Sequence, residues 1–323
     1  MSALPGSRPE ALLVDGHYLD YGLERTAITA AGGDLMVSGH HPVSEQEVLD
    51  LPGLASASLL LVELAPITRA VLAAAEKCVA VIRYGTGLDN VDLDAARRYG
   101  IAVESVPGYA AESVSEHTLL LMLATARRLL AHVDRVREGE WRPTEIDLRP
   151  VGLEGSALGI VGLGAIGRAI AIRASAFGMR VTATDPYVNP SSVNSFIDLV
   201  DVDTLLGQSD YVSLHVPLTR ETQGMVNEQW FSRCKPGMVL INTARGGLVN
   251  EFDLLQALDA GTISYAALDV SIDEPLPVNH AFRSHPRVLF TPHIAFWSDR
   301  AERNLRNSVA QIAVRHLSEA VST

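Results

Sequence analysis

Cysteine is almost missing from this 323-residue chain: Cys78 and Cys234 are the two present. Neither stands in a metal-ligand spacing, so a thiolate metal site and a disulfide framework are both excluded. Two packed thiols suit a reducing compartment and point to the cytoplasm. Lysine is as scarce, with only Lys77 and Lys235, so nearly all positive charge is arginine. No apolar run approaches the ~18 residues of a membrane-spanning helix, and the N-terminal stretch lacks the basic-then-apolar pattern of a secretory signal. The formal net charge of −12 argues against a nucleic-acid or anionic membrane surface. It leaves room for a small anion held by a few local arginines. The histidines form no metal-ligating constellation, so no metal is expected.

What is present is an ordinary soluble composition, 47% apolar and 20% charged, over a length that suggests two domains. The most informative stretch is Ala157 to Arg168, ALGIVGLGAIGR. An apolar strand leads into Gly162, Gly164 and Gly167, and a helical pattern follows. Asp185 ends the next apolar run. In a dinucleotide-binding unit the first Gly makes the turn and the second admits the pyrophosphate. The third lets helix and strand pack closely, and the acid bonds the ribose hydroxyls. The helix N-terminus adds free N–H groups and the positive end of its dipole. Asp185-Pro186-Tyr187 offers no cation for a 2′-phosphate, which favours NAD over NADP.

Strand and helix patterns alternate through both halves, predicting parallel sheets with helices on both faces. Five strands are expected before residue 107, beginning at Leu12, Leu35, Leu59, Val79 and Ala102. Six more are expected from Ala157, Arg180, Tyr211, Met238, Tyr265 and Val288 onward. Ser113 to Leu130 reads as one long helix with a Ser113/Glu116 capping box. Residues 1–10 read as a frayed end, 138–154 as an irregular connector, and Asp299 to Leu317 as a final helix.

Ligands of open α/β sheets bind beyond the carboxyl ends of strands. In the second half those ends carry His215-Val-Pro, Asn242-Thr-Ala-Arg, Asp269 with Asp273-Glu274-Pro275, and Thr291-Pro-His293. Arg245, Glu274 and His293 therefore converge on one edge. Hydride transfer at C2 of a 2-oxo or 2-hydroxy acid needs such a set. Arg245 offers a planar fork for a carboxylate and a carbonyl oxygen. His293 suits proton exchange near neutral pH. A carboxylate such as Glu274 beside the ring favours its charged form and fixes its tautomer. His215 is a competing acid/base, but no acid follows it at a helpful distance, so a structural role is expected. His117, on the long helix, is expected to be a packed or bonded core residue. His40, His41, His280 and His285 are expected to be solvated.

The chain resembles the D-isomer-specific 2-hydroxyacid dehydrogenases, a family that includes 3-phosphoglycerate dehydrogenase and glyoxylate/hydroxypyruvate reductase. The motifs that carry the resemblance are IRYGTGLDNVDL (82–93), GLGAIGR (162–168), HVPLT (215–219), INTARGGLVNE (241–251), AALDV with DEP (266–275), and TPHIA (291–295). It implies two Rossmann-like, doubly wound parallel-sheet domains. A cofactor domain, residues 114–296, is inserted into a flavodoxin-like substrate domain of residues 1–113 and 297–323, with the active site in the cleft. It also implies a homodimer built through the cofactor domain. Carried over by motif, Arg245 binds the substrate carboxyl or keto oxygen, Glu274 supports the histidine, and His293 exchanges the proton. The amides of Gly85, Thr86 and Gly87 hold the substrate carboxylate. Thr86, Ala165, Ile166, Asp185, Pro217, Thr243 and Asp269 contact the dinucleotide, Asp269 at the nicotinamide carboxamide.

Within that family no appended regulatory domain, such as many phosphoglycerate dehydrogenases carry, is expected of this chain. Glu274 stands where similar formate dehydrogenases carry Gln. Arg83, Phe296 and Trp297 resemble the branch containing the C-terminal-binding proteins. Phe296 could wall an apolar side-chain pocket or pack the hinge with Trp297. Arg83 could receive a second anion, which makes a phosphorylated or phosphonate 2-oxo acid an alternative substrate class. An NAD(H)-sensing, partner-binding protein on the same fold is the alternative to an enzyme.

Overall fold

The structure is a computed structural model that describes residues 10–141 and 149–321. The chain separates into two compact units, Met1–Tyr109 with Ser298–Thr323, and Ala110–Trp297. The frayed end expected for residues 1–10 falls almost wholly outside the described residues, as does the middle of the 138–154 connector.

The first unit runs β1 (Glu10–Leu13), α1 (Gly22–Ala30), β2 (Asp34–Val37), α2 (Glu45–Leu49), β3 (Ala57–Val62), α3 (Arg69–Ala74), β4 (Ala80–Arg83), α4 (Leu93–Tyr99) and β5 (Ala102–Glu104). All five strands are parallel, in the order β2-β1-β3-β4-β5. Alternate residues serve opposite faces, the period-two rule of a strand. Leu12, Leu60, Val62 and Val81 meet Val48, Val71 and Leu72 from α2 and α3. Ala11, Leu13, Leu59, Leu61 and Ile82 face the other way, onto Ile28 of α1 and onto Leu305, Val309, Ala313 and Leu317.

The second unit runs α5 (Ala111–Ala126), α6 (Leu129–Arg137), β6 (Ala157–Val161), α7 (Ala165–Ala176), β7 (Arg180–Thr184), β8 (Ile197–Leu199), α8 (Val202–Gln208), β9 (Tyr211–Leu214), α9 (Glu228–Phe231), β10 (Met238–Asn242), α10 (Glu251–Asp259), β11 (Ile263–Leu268) and β12 (Val288–Phe290). The last four residues of the first unit's opposite-face cluster lie on α11 (Asp299–Val321), which returns the chain to that unit. The second sheet is ordered β12-β11-β10-β9-β6-β7-β8 and is parallel throughout. One face buries Val212, Leu214, Leu240 and Leu268 against Trp230, Phe231 and Leu254. The other buries Ile160, Val181 and Ile241 against Met122 of α5 and Ile170 of α7. Both sheets are thus covered on two sides, the doubly wound arrangement.

Three details differ from the sequence reading. The long helix is two helices. α5 starts at Ala111, behind an N-cap at Ala110 that has no side-chain bond, so Ser113 lies inside the first turn rather than at the cap. Just past its end Arg128 adopts φ 50°, and its guanidinium lies 3.9 Å from the Tyr265 ring centroid on β11. The second sheet also has seven strands rather than six. The extra one, β8, is a three-residue edge strand, Ile-Asp-Leu, whose central acid breaks the apolar run that marked the equally short β12. Third, His280 and His285 are not solvated. Their Nε2 atoms lie 3.0 Å from Glu251 and 3.4 Å from Asp259, respectively, and both rings are largely covered. His40 and His41 are exposed, His41 stacked on His17 at 5.3 Å. Among the described residues no helix is long and apolar enough to cross a membrane. Burial pushes the thiols of Cys78 and Cys234 up to about 12, as expected of packed cysteines.

Candidate active site

The second sheet reverses its strand order between β6 and β9. Such a switch point opens a crevice beyond the strand ends, where nucleotides bind. Gly162 follows β6 there with φ 97°, a backbone that a side chain rarely tolerates. A Cβ on Gly162 would lie 2.6 Å from the His215 carbonyl oxygen, so glycine lets the two strand ends close up. A Cβ on Gly167 would lie 2.2 Å from the Gly162 carbonyl oxygen, which is how α7 approaches β6. Around Gly164 nothing lies within 4 Å of an added Cβ. That open face, with exposed Ala165 and half-buried Ile166 starting a 12-residue helix that has no capping side chain, fits a diphosphate. Asp185 accepts from the Leu163 amide at 2.8 Å and from the Tyr187 amide at 2.9 Å, which fixes the acid beside the turn. Pro217 is exposed beyond β9, and its carbonyl takes the Thr222 hydroxyl.

The ends of β10, β11 and β12 bring the three candidate catalytic residues to one edge. His293 has φ 52°, unusual for a residue with a side chain. Its amide donates to the Asp269 carbonyl at 2.8 Å. Its Nδ1 lies 2.5 Å from Glu274 Oε2, and the other Glu274 oxygen accepts from the Ser271 amide at 3.1 Å. Burial pushes the Glu274 carboxyl up. The bond and charge of His293, the Ser271 amide and the charge of Arg245 outweigh it and hold the group below its ordinary range. Arg245 donates to the Ala244 carbonyl at 2.7 Å. Asn242 clamps its loop, accepting from the Ala244 amide and donating to the Arg245 carbonyl. Phe296 stands edge-on to His293 with centroids 6.0 Å apart, while Trp297 is 68% exposed.

Asp269 is the hub of this edge. It is 1% exposed. Oδ1 accepts from the Thr291 hydroxyl at 2.5 Å and the Ile294 amide at 3.0 Å, and Oδ2 accepts from the Ala295 amide at 2.8 Å. Thr291 in turn meets His117 Nε2 at 2.9 Å, so of the two roles open to His117 it takes the bonded one. The Thr243 hydroxyl turns to Thr118 at 2.9 Å. These supports were not visible in the sequence, because His117 and Thr291 lie 174 positions apart. His215 is half-buried and bonded within the protein: Nε2 meets Ser213 at 2.9 Å, and desolvation lowers its pKa to about 4.

Arg83, Gly85, Thr86 and Gly87 belong to the first unit. Gly85 has φ 140°. A Cβ there would sit 1.4 Å from Arg83 Nη1, which donates to the Tyr84 carbonyl at 2.8 Å. The Arg83 guanidinium therefore folds onto the loop itself. The Thr86 hydroxyl donates to the Val106 carbonyl at 3.2 Å.

Comparison with known proteins agrees with this geometry. Residues 119–295 match the model of the D-isomer specific 2-hydroxyacid dehydrogenase, NAD binding domain. The chain is 39% identical over 244 residues to a D-3-phosphoglycerate dehydrogenase of Mycobacterium bovis, a match covering 75% of this chain and 45% of that protein. It thus spans about half the length of such relatives. It is 37% identical to a glyoxylate reductase of Thermococcus litoralis, with 73% of each chain covered. Among solved structures, a D-lactate dehydrogenase from Aquifex aeolicus complexed with NAD and lactic acid superposes with a TM-score of 0.82 at 28% identity, covering 94% of this chain and 93% of that one. The matched model is an NAD binding domain, and NAD is accordingly the dinucleotide of this family. The chain belongs to the D-isomer specific 2-hydroxyacid dehydrogenase family.

Proposed function

We propose that the protein is an NAD(H)-dependent oxidoreductase that interconverts a 2-oxo acid and a D-2-hydroxy acid. The observation that carries the reading is the 2.5 Å contact between His293 Nδ1 and Glu274. It sets the ring so that Nε2 is the nitrogen left for a reacting oxygen. NAD(H), when bound, supplies or accepts the hydride at C2. In the reducing direction His293 passes a proton from Nε2 to the developing alkoxide. Glu274, kept ionised by its surroundings, stabilises the charged ring before that transfer. Arg245 holds the substrate carboxylate or keto oxygen through its fork and draws charge onto that oxygen. The amides of Gly85, Thr86 and Gly87 take the carboxylate in the same reading, and Phe296 borders the side-chain space.

The test is NADH oxidation with a panel of 2-oxo acids: glyoxylate, pyruvate, hydroxypyruvate, branched and aromatic members, and phosphonopyruvate. At least one should turn over. His293→Ala should lower kcat by about two to four orders of magnitude while leaving NADH affinity intact. Full activity in that variant would refute the proton role.

We also propose that two copies associate through the cofactor-binding unit. Leu120 on α5, Ile172 on α7 and Phe177 just after it are each at least 44% exposed, an apolar surface suited to a self-contact. Light scattering coupled to size exclusion should give twice the chain mass of 34.7 kDa, and the Phe177→Glu variant should give one.

A further inference from the structure

The first unit has a switch point of its own, between β1 and β3, where its strand order reverses. The second unit places glycines at this position. The first places acids. Asp15, just past β1, accepts from three successive amides past β3: Glu63 at 2.7 Å, Leu64 at 2.6 Å and Ala65 at 2.9 Å. That clamp fixes the start of the β3 loop and, with it, the Glu63 side chain. Glu63 is 7% exposed. Its Oε2 meets His17 Nδ1 at 2.7 Å, and His17, with a side chain 62% exposed, covers it like a cap. Burial first, then the charge of Glu63, pushes the Tyr18 phenol upward, and the Tyr18 ring lies 5.9 Å from Tyr84. Tyr84 directly precedes Gly85. On the backbone, Val62 pairs with Arg83, which sets Glu63 beside Tyr84 and the start of the Gly85–Gly87 loop. Arg83 is folded onto that loop through the Tyr84 carbonyl, so its charge lies at the seat of the first carboxylate.

We infer that Glu63 is a specificity-determining residue: it selects 2-oxo acids whose single anion is the reacting carboxylate, and rejects those with a second phosphate, phosphonate or carboxylate. This rests on the proposed 2-oxo acid activity and on the Gly85–Gly87 amides as the carboxylate seat. A substrate side chain leaving that seat along the strand ends runs toward the β1/β3 crevice. There a fixed, poorly hydrated carboxylate repels a like charge and accepts a neutral donor.

The test compares kcat/KM in pairs differing by one anionic group: pyruvate with oxaloacetate, and hydroxypyruvate with 3-phosphohydroxypyruvate. The wild-type protein should favour the singly charged member of each pair, on the order of tenfold or more. Glu63→Gln should shrink both ratios several-fold, and Glu63→Arg should reverse them. His17→Ala, a change at an exposed residue, uncaps the carboxylate and should widen them. Equal or better use of the doubly charged members by the wild type would overturn the inference. So would ratios unmoved by Glu63→Gln and His17→Ala. Turnover of singly charged substrates with unmoved ratios sinks only this inference, whereas no turnover of any 2-oxo acid sinks the proposed activity and this with it.

Discussion

Replacing Asp269 with alanine should destabilise the second unit by about 3 kcal/mol. Three donors point at this carboxylate: the Thr291 hydroxyl, the Ile294 amide and the Ala295 amide. The hydroxyl can turn to His117 Nε2, already 2.9 Å away, so its loss is small. The two amides have no such alternative, and Ala295 is buried. A buried donor left without an acceptor costs about 1–3 kcal/mol, so the pair costs roughly 2–6. Water entering the space left by the carboxylate offsets part of this, which puts the working value near the lower middle. Urea unfolding followed by tryptophan fluorescence is the assay. Trp230 is 1% exposed and lies within the second unit, while Trp141 and Trp297 are largely exposed, so the blue-shifted emission reports that unit. With a slope of about 1–3 kcal/mol/M the midpoint should fall by about 1–3 M. Asp269→Asn should fall between, since its one amide oxygen can serve only one of the two backbone donors well. A midpoint shift below about 0.3 M for the alanine variant would refute the idea that Asp269 holds the His293 turn.

Other outcomes follow from the same contacts. Gly167→Ala forces a Cβ to 2.2 Å from a backbone oxygen, so α7 must move off β6; NADH affinity by fluorescence titration should weaken by about tenfold or more. His215, depressed from an ordinary 6.5 to about 4 by burial, stays neutral in the folded protein while the unfolded chain takes up a proton. The stability tied to its neutral form is complete above pH 6.5 and is lost as pH falls toward 4, up to about 3 kcal/mol. Urea midpoints measured from pH 8 to pH 4.5 should show this slope, and His215→Asn should flatten it. The lowered Glu274 adds an acid loss beginning only below its ordinary 4.5. In the first unit Arg306 bonds both oxygens of Glu24 at 2.9 Å, and Glu24 is 0% exposed. Arg306→Met should cost about 3–5 kcal/mol, because it strands a buried charge, and Glu24→Gln in the same chain should recover part of it.

Most of the architecture could be read from the chain, because strand ends, glycine spacing and period-two apolar runs are local signals. Gly162, Gly164, Gly167 and Asp185 fall within one βαβ unit, and the structure places them at its switch point. Arg245, Glu274 and His293 were legible for a related reason: each follows a strand of the same sheet. What stayed hidden depends on distance along the chain. Arg306 and Glu24 lie 282 positions apart. The break after α5 falls at Arg128, whose guanidinium lies over Tyr265 on β11, a contact no helical propensity encodes. The Asp269 network likewise joins residues from α5, β11 and the turn after β12.

The return of α11 to the first unit bears on how the chain is made. Leu305, Val309, Ala313 and Leu317 close one face of the first sheet, yet they are synthesised after the whole second unit. On the ribosome, Ala11, Leu13, Leu59 and Leu61 therefore lack their cover while residues 110–297 emerge. The inserted unit, continuous in sequence, can complete its fold first. Its completion then shortens the effective loop that α11 must close, because a folded insert holds its two ends at a fixed separation. The middle of the gene thus acts as a template for joining its two ends.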